Sequence, residues 1–322
     1  MRRVLITGAA GFLGSCLTRE LLDQGASVIA VDNLSTGRIS NIIDFNKHPQ
    51  FTFIQMDIVS NDVTQLFDLN GIEEIYHLAS PASPKFYQEF PLETIAVNTI
   101  GTRNMLELAK KHGARMVFTS TSEAYGDPEV HPQPEYYRGS VNTWGPRACY
   151  DESKRLGEVY CYEYFQNFQI PIKVARLFNT YSARLRNDDG RVISNFVNQA
   201  LQSKDITVYG TGSQTRSFCY VTDTIRGLIR MMECDSANGE IINLGNPSEY
   251  TILEVAKLVR QLTNSQSSIT FHDLPKDDPK QRCPDIQKAQ KLLNWRPEIT
   301  LTEGLLKTIN HYRLEYEEQR EE

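Results

Sequence analysis

Apolar runs alternate with amphipathic stretches along the first half of the chain. The runs predict buried strands because they centre on apolar, often β-branched residues, and they lie at 3–7, 27–31, 51–55, 73–77, 115–119 and 172–177. Helical patterns separate most of them and are longest at 93–111 and 150–168. Strands that alternate with helices favour an α/β fold, in which a doubly wound parallel sheet is covered by helices on both faces.

Past residue 178 the pattern becomes irregular and richer in Pro, Gly, Asn and Asp. Helices are predicted near 192–203, 222–233, 252–263 and 301–314. We expect residues 1–178, joined by about 216–246, to form the larger domain, and residues 179–215 and 247–322 to form a smaller α/β domain. The two longest helices of the first half lie on one flank and can also form a subunit interface, so we expect a homodimer.

Three glycines follow the first strand at intervals of three residues: Gly8, Gly11 and Gly14. Gly8 permits a tight turn, Gly11 lets a pyrophosphate approach the main chain, and Gly14 lets the next helix pack closely on the strand. The second strand ends at Asp32, whose carboxylate can accept hydrogen bonds from a ribose 2′-hydroxyl and would repel a 2′-phosphate. These features predict a Rossmann-like domain that binds NAD rather than NADP.

A second group of residues predicts proton transfer beside that cofactor. The strand at 115–119 runs into a Ser/Thr-rich segment that includes Thr121, at the edge where open α/β sheets bind ligands. Tyr150 and Lys154 lie four apart on one helix face. A nearby ammonium lowers the pKa of a tyrosine, so we expect Tyr150 to act as a base, Lys154 to lower its pKa and hold the nicotinamide ribose, and Thr121 to bind the reacting oxygen. The alternative for the Tyr–Lys pair alone is an ordinary surface pair.

Composition excludes several classes of function. The net charge is −6 with no basic block, which disfavours nucleic acid as a partner. No apolar stretch approaches the ~20 residues that a membrane helix needs, and the Arg2-Arg3 start is better explained by a strand than by a signal peptide. Six cysteines without a C-x-x-C motif favour a reducing cytoplasm, and we expect no metal site and no disulfide.

The glycine spacing, G-x-x-G-x-x-G, is similar to that of extended short-chain dehydrogenase/reductases, the NAD-dependent epimerase/dehydratase family. Over almost the whole chain the sequence resembles the UDP-glucuronic acid decarboxylases (UDP-xylose synthases) of that family. The segments that carry this resemblance are 77–84, 120–128, 145–155, 187–192 and 278–285. The runs S-P-A-S-P at 80–84 and G-P-R-A-C-Y-D-E at 145–152 are the most specific of them.

The resemblance implies a reaction and roles for further residues. Oxidation at C4 of glucuronic acid makes a ketone β to the C6 carboxylate, carbon dioxide leaves, the enolate is protonated at C5, and the hydride returns to C4. Dehydratases of the family carry Asp-Glu where this chain has Ser122-Glu123, so no acid stands ready for a 6-hydroxyl. Glu123 belongs to the decarboxylation site, and Arg191 handles the carboxylate or reprotonates the product; a surface charge at a helix start is the alternative for Arg191.

The resemblance also implies binding residues in both domains. The larger domain holds NAD through Gly8, Gly11, Phe12, Leu13, Gly14, Asp32, Asn33, Asp57, Ile58, Leu78, Tyr150 and Lys154. The UDP-sugar contacts Pro84, Tyr87, Ser122, Glu123, Asn179, Arg191, Asn195, Tyr209, Arg216 and Arg282, most of the last five lying in the smaller, nucleotide-sugar-binding domain. Arg216 and Arg282 suit the diphosphate because guanidinium groups offer paired donors to phosphate oxygens.

Two departures from the family leave alternatives open. The chain has Ser182-Ala183-Arg184 where the family usually has Gly-Pro-Arg, and Ala96-Val97 where it usually has Lys-Thr. Both changes lie near the expected pocket. The alternatives are a UDP-glucuronic acid 4-epimerase, another nucleotide-sugar epimerase or dehydratase, a decarboxylase that stops at the 4-keto pentose, and a non-catalytic NAD-binding protein, which intact Thr121, Tyr150 and Lys154 disfavour.

Overall fold

A computed structural model gives the fold and describes residues 2–67, 69–186, 188–274, 279 and 281–321. Asn187, Asp278 and Lys280, which belong to two of the segments that carry the resemblance, lie outside the described residues. Within the described ranges, none of the helices is both long and apolar enough to span a bilayer.

The strands include all six that the apolar runs predict, with bounds that differ by no more than two residues. In chain order they are β1 (Arg3–Thr7), β2 (Ser27–Asp32), β3 (Phe51–Gln55), β4 (Glu74–His77), β5 (Arg115–Thr121), β6 (Ile172–Leu177), β7 (Thr180–Tyr181), β8 (Ile206–Tyr209), β9 (Thr215–Ser217), β10 (Cys219–Tyr220), β11 (Ile241–Leu244), β12 (Glu249–Thr251), β13 (Ile269–His272) and β14 (Gln281–Arg282).

Helices fill most of the intervals between the strands. In chain order they are α1 (Phe12–Asp23), α2 (Thr64–Phe67), α3 (Pro84–Glu89), α4 (Pro91–Ala96), α5 (Thr102–His112), α6 (Ala148–Phe168), α7 (Val192–Leu201), α8 (Val221–Glu233), α9 (Ile252–Thr263), α10 (Gln287–Leu293) and α11 (Leu301–Glu321).

The central sheet is parallel, and among the described residues its strands follow the order β11-β6-β5-β4-β1-β2-β3. The chain moves outward from β1 to β3 and then resumes on the other side of β1 at β4. This reversal confirms the predicted doubly wound, Rossmann-like fold. It also opens a crevice at the carboxyl ends of β1 and β4, where folds of this class bind their ligands.

Two helix predictions differ from the structure. The stretch at 93–111 is not one regular helix, because a π-helical segment, Val97–Gly101, separates α4 from α5. Side-chain hydroxyls of Thr99 and Thr102 donate to carbonyls four residues back, which loosens the ordinary backbone pattern there. The last helix runs on to Glu321 instead of ending near 314, and the Tyr316 hydroxyl secures it by donating to Asn198.

The apolar core continues from the sheet into the C-terminal part. One face of the sheet packs on α1 and α8, and the same cluster of buried side chains includes Phe196, Val255, Trp295 and Leu305. The other face packs on α5 and α6. Short strand pairs lie outside the central sheet: β9 pairs with β12 and β14, β8 with β13, and β7 with β10. Strand β11 returns to the central sheet beside β6.

Candidate active site

The glycine turn after β1 has the conformation that its sequence predicts. Gly8 has a φ of +71°, which glycine adopts without strain. A Cβ on Gly14 would lie 2.7 Å from the Cα of Ala9, so only glycine lets α1 start this close to the strand. A Cβ on Gly11 would contact only the Gly8 carbonyl oxygen, at 3.2 Å. The main chain at Gly11 therefore faces open space at the N-terminus of α1, where an anion is stabilised.

A cleft at the crevice is lined by residues predicted to hold the cofactor. They are Gly8, Gly11, Phe12, Leu13, Gly14, Asp32, Asn33, Asp57, Ile58 and Leu78. Each oxygen of Asp32 accepts one main-chain hydrogen bond, from Ala10 at 2.9 Å and from Leu34 at 2.8 Å. Burial raises the pKa of the Asp32 carboxyl, and these two hydrogen bonds oppose that rise. The carboxylate keeps lone pairs for a further donor.

A hydrogen-bonded chain fixes the carboxyl ends of β1 and β4 beneath this cleft. His77 Nδ1 lies 2.7 Å from the Thr7 hydroxyl, and Nε2 lies 3.0 Å from the Thr102 hydroxyl. The Thr102 hydroxyl donates to the Asn98 carbonyl, so it must accept from Nε2–H. Burial, with Lys154 adding to it, lowers the pKa of His77 to about 3, so the ring is neutral. This histidine is structural, and the sequence analysis assigned it no role.

Tyr150 and Lys154 lie together as predicted, but their electrostatics differ from the prediction. The Lys154 ammonium donates to the Thr119 carbonyl at 2.8 Å and lies 6.0 Å from the centre of the Tyr150 ring. Burial raises the pKa of Tyr150 above its usual range, and a hydrogen bond from Thr121 only partly offsets this. The prediction that Lys154 lowers the pKa of Tyr150 below its usual value is therefore wrong for the protein's own groups. Desolvation of the phenol outweighs a charge at that distance. Burial also lowers the pKa of Lys154 to about 7.

Glu123 lies in a clamp of two guanidinium groups. Its carboxylate accepts from Arg147, and Arg282 Nη1 lies 3.1 Å from Oε1. Burial would raise the pKa of Glu123, but Arg282 and Arg147 lower it to about 2, so the side chain is ionised at neutral pH. Arg282 also donates to the Ser122 hydroxyl at 3.2 Å and to the Gly126 carbonyl at 2.7 Å. These bonds direct the Arg282 side chain toward Glu123.

Asp151 and Arg147 are site residues to which the sequence analysis assigned no role. Asp151 is 6% exposed, its Oδ2 lies 4.0 Å from Arg147 Nε, and its Oδ1 has no hydrogen-bond partner among the described residues. Burial, followed by the charge of Glu123, raises the pKa of Asp151 to about 7. The i,i+4 spacing of Arg147 and Asp151 within the specific G-P-R-A-C-Y-D-E run is the signal that could have found them.

Arg191 bridges the cleft and the Tyr150 region. Its guanidinium pairs with Asp189, at 2.5 and 3.1 Å, and its Cζ lies 5.2 Å from the centre of the Phe12 ring at the start of α1. It lines the cleft and is near enough to Tyr150 to lower the pKa of the phenol. Asp189 holds the guanidinium in this place.

The other predicted substrate residues fall into two groups. Tyr87 stacks on Tyr150 with ring centres 5.0 Å apart, and Arg216 pairs in register with Arg282 across β9 and β14. Pro84 begins α3, the short helix that carries Tyr87. The contacts described for the remaining three are made elsewhere: the Asn179 carbonyl accepts from the Cys219 amide, Asn195 donates to the Gly190 carbonyl, and Tyr209 is 43% exposed beside His272.

One of the two departures from the family pattern, Ala96-Val97, lies in the cleft wall, and the other, Ser182-Ala183, directly precedes the cleft-lining Arg184. Ala96 and Val97 line the cleft directly, the latter at the start of the π-helical segment. Arg184 also lines it and donates to the Asn41 carbonyl at 3.0 Å.

Residues 4–245 match the model of the NAD dependent epimerase/dehydratase family. The chain therefore belongs to this family, as the glycine turn and the Tyr–Lys pair predict.

Comparison with individual proteins places the chain more closely. UDP-glucuronic acid decarboxylase 1 of Danio rerio is 50% identical to it over 318 residues, which cover 99% of this chain and 74% of that protein. UDP-glucuronic acid decarboxylase 5 of Arabidopsis thaliana is 48% identical over 313 residues, 97% of this chain and 89% of that protein. The solved structure of UDP-glucuronic acid 4-epimerase from Bacillus cereus, in complex with UDP-glucuronic acid and NAD, matches with a TM-score of 0.89 at 30% identity, covering 98% of this chain and 100% of that chain.

Proposed function

We propose that the protein converts UDP-glucuronic acid to UDP-xylose, with loss of carbon dioxide and with NAD as a recycled cofactor. The decarboxylase relatives at about half identity over nearly the whole chain support this substrate and reaction. The observation that carries the proposal in the structure is the ionised Glu123 clamped by Arg147 and Arg282 in the same site as Tyr150.

The cleft fits NAD. The bare main chain at Gly11 and the N-terminus of α1 suit the pyrophosphate, and Asp32 has lone pairs for a ribose hydroxyl. Asp57 accepts from Asn33 at 3.2 Å and from the Val59 amide at 2.9 Å, which holds its carboxylate at the cleft wall for the adenine amino group. Bound there, NAD would supply reversible hydride transfer at C4 of the sugar.

Tyr150 takes the proton of the C4 hydroxyl, with Thr121 donating to the reacting oxygen. The Thr121 hydroxyl bonds the Tyr150 phenol, and its single proton would turn from the phenol to the reacting oxygen when the sugar binds. Lys154, 2% exposed, donates to the Thr119 carbonyl near the end of β5 and has further N–H donors for a ribose hydroxyl of the nicotinamide half. Because burial raises the pKa of Tyr150, the phenolate needs positive charge near it, and Arg191 supplies part of that charge.

The guanidinium clamp handles the C6 carboxylate. Arg147 and Arg282 together carry two positive charges against the single negative charge of Glu123, so the clamp keeps a net positive charge that attracts the sugar carboxylate. Arg191 adds a further guanidinium at the cleft side. The C4 ketone accepts the electron pair when carbon dioxide leaves, so no strong acid is needed for that step.

We propose the same arrangement at the level of the molecule. Residues 1–178 with about 216–246 bind NAD, and residues 179–215 with 247–322 bind the nucleotide sugar. Its diphosphate is bound by Arg282 of the smaller domain and by Arg216, the first residue of the 216–246 segment. A homodimer forms through α4 and α6. The protein works in a reducing cytoplasm, where its six free cysteines stay as thiols.

The test is to incubate the full-length protein with UDP-glucuronic acid and NAD, and to follow the sugar by NMR and the released carbon dioxide by mass spectrometry. We expect UDP-xylose and one carbon dioxide per sugar, without net NADH. UDP-galacturonic acid without carbon dioxide would instead assign the protein as a 4-epimerase, and accumulated NADH with a 4-keto pentose would show that the final reduction is missing.

Three variants separate the half-reactions. Tyr150→Phe should lower NADH formation at C4 by at least about 100-fold, because the base is lost. Glu123→Gln and Arg191→Ala should slow carbon dioxide release more than they weaken UDP-sugar binding. Tyr162→Phe, on the exposed side of the same helix as Tyr150, is the matched control and should keep wild-type rates. Normal carbon dioxide release by Glu123→Gln would remove the clamp from the mechanism.

A further inference from the structure

Three potential metal ligands converge beside the small sheet of β9, β12 and β14. His131 comes from the loop before α6, Glu249 is the first residue of β12, and Cys283 directly follows β14. Their ligand atoms all lie within 4.8 Å of one another, and His131 Nε2 is 2.8 Å from Glu249 Oε2. Three segments that are far apart in the sequence thus bring a nitrogen, an oxygen and a sulfur donor to one point.

This set of donors selects a particular class of cation. Imidazole, carboxylate and thiolate together are ligands of zinc and similar transition metals, whereas calcium and magnesium prefer oxygen alone. In a tetrahedral zinc site the ligand atoms are about 3.3–3.8 Å apart, as bonds of about 2.0–2.3 Å require. The side chains of His131 and Glu249, 31% and 26% exposed, have room to make the remaining small shift.

We propose that His131, Glu249 and Cys283 bind one zinc-like divalent cation, with water as the fourth ligand. The ion would replace the proton between the imidazole and carboxylate and the proton of the thiol. Because a thiol ligates a metal ion as the thiolate, binding should release the Cys283 proton. A neutral imidazole, a carboxylate and a thiolate carry two negative charges, which a divalent cation neutralises.

Hydrogen bonds from outside the cluster already hold two of the three ligands, Cys283 and Glu249, in place. The buried Gln133 makes two hydrogen bonds with the main chain of Cys283, both at 2.8 Å. Its side-chain oxygen accepts from the Cys283 main-chain amide, and its own main-chain amide donates to the Cys283 carbonyl. Thr215 donates to Glu249 Oε1 at 2.8 Å, which leaves Oε2 for the imidazole side. Such outer contacts orient the ligands of established metal sites in the same way.

The site adjoins the catalytic cluster through the chain itself. Cys283 follows Arg282, whose guanidinium holds Glu123, and Arg282 pairs with Arg216 on β9. A bound ion would tie the loop at 131, β12 and the end of β14 together and so restrict the backbone that carries Arg282. The proposal does not depend on the decarboxylase reaction, because binding is measured without substrate.

The test is to titrate the metal-free, reduced full-length protein with cobalt(II) and to record its absorption spectrum. We expect one cobalt per chain, with the intense near-ultraviolet band of a thiolate–cobalt bond and the visible bands of tetrahedral cobalt, and we expect zinc to displace the cobalt. Cys283→Ser should lose the near-ultraviolet band, and His131→Ala should weaken binding by about tenfold or more.

Cys234→Ser is the matched control, since Cys234 is a partly buried thiol at another place in the fold, and it should leave the spectrum unchanged. Circular dichroism checks that each variant is folded. If Cys283→Ser does not fold, Glu249→Gln combined with His131→Ala answers the question with the thiol intact. A band that survives in Cys283→Ser or in the double variant, or wild-type protein that binds less than one cobalt per two chains, would overturn the proposal.

Discussion

Neighbouring carboxyl groups at the site have pKa values moved in opposite directions. Arg282 and Arg147 lower the pKa of Glu123 to about 2 against the effect of burial, whereas burial and Glu123 itself raise that of Asp151 to about 7. Pairs of carboxyls with divergent pKa values are typical of functional sites. The sequence predicted Glu123 but not its charge state, because Arg282 lies far along the chain and reaches it only through the fold.

The raised pKa of Asp151 predicts a pH-dependent stability. In the unfolded chain the carboxyl titrates near 3.8, so between about pH 4 and 7 the folded state binds more protons and its free energy of unfolding falls as the pH rises. Asp151→Asn removes this titration. The loss of stability between pH 5 and 8, measured by urea unfolding, should be smaller in the variant by on the order of 1 kcal/mol.

The neighbouring Glu152→Gln is the control for that prediction. Glu152 is 40% exposed and pairs with Arg155 on the outer side of α6, so its replacement should leave the pH slope of the wild type. Equal slopes for Asp151→Asn and the wild type would show that Asp151 has an ordinary pKa in the folded protein.

At the scale of elements, the features that could be predicted are those set by local sequence pattern and by local close packing. The turn at Gly8, the close start of α1 and six strands of the central sheet follow from residues within a few positions of one another. The π-helical segment at Val97–Gly101 could not be predicted in this way, because the helical spacing of apolar residues over 93–111 continues through it without interruption. Its irregularity depends on threonine back-bonding and on packing against α6, where Asn98 donates to Ser153.

Among the glycines between β1 and β2, Gly14 should be the one whose replacement lowers the free energy of unfolding most. An alanine Cβ there would overlap the Gly8 carbonyl and lie 2.7 Å from the Ala9 Cα, and neither backbone group can move without opening the turn. We expect Gly14→Ala to lower the free energy of unfolding by about 1–3 kcal/mol, as overpacked cores do, and to weaken NAD binding. Urea unfolding and calorimetric titration with NAD measure the two effects.

Gly101→Ala is the matched comparison, because a Cβ there would meet the flexible end of Ile58 at 3.0 Å and not backbone. Its effect on unfolding should be clearly smaller than that of Gly14→Ala. If both variants were equally stable, close packing at the glycine turn would not be what selects Gly14.

At the scale of the whole molecule, the doubly wound parallel sheet and the family could be predicted, but contacts between distant segments could not. The clamp on Glu123 needs the ends of β5 and α6 to meet β14. The sequence analysis assigned Arg282 to the diphosphate and did not predict its contact with Glu123. The grouping of His131, Glu249 and Cys283 has the same origin, which is why a search for closely spaced ligands predicted no metal site. Such sites are created by topology and leave no local pattern.

An exposed apolar face offers a place for the predicted homodimer contact. Apolar side chains lie exposed on the adjoining α4 and α6, among them Leu92, Ile95 and Val159, with exposed fractions of 74%, 40% and 52%. A second copy related by a twofold axis would place this face against itself and cover it with the same helices.

Val159→Glu puts charges on both sides of such an interface, so we expect the wild type to sediment as a dimer and this variant as a monomer. Leu314→Glu, equally exposed but on α11, should remain dimeric. A wild-type monomer at micromolar concentration, or a dimer unaffected by Val159→Glu, would place the subunit contact elsewhere or remove it.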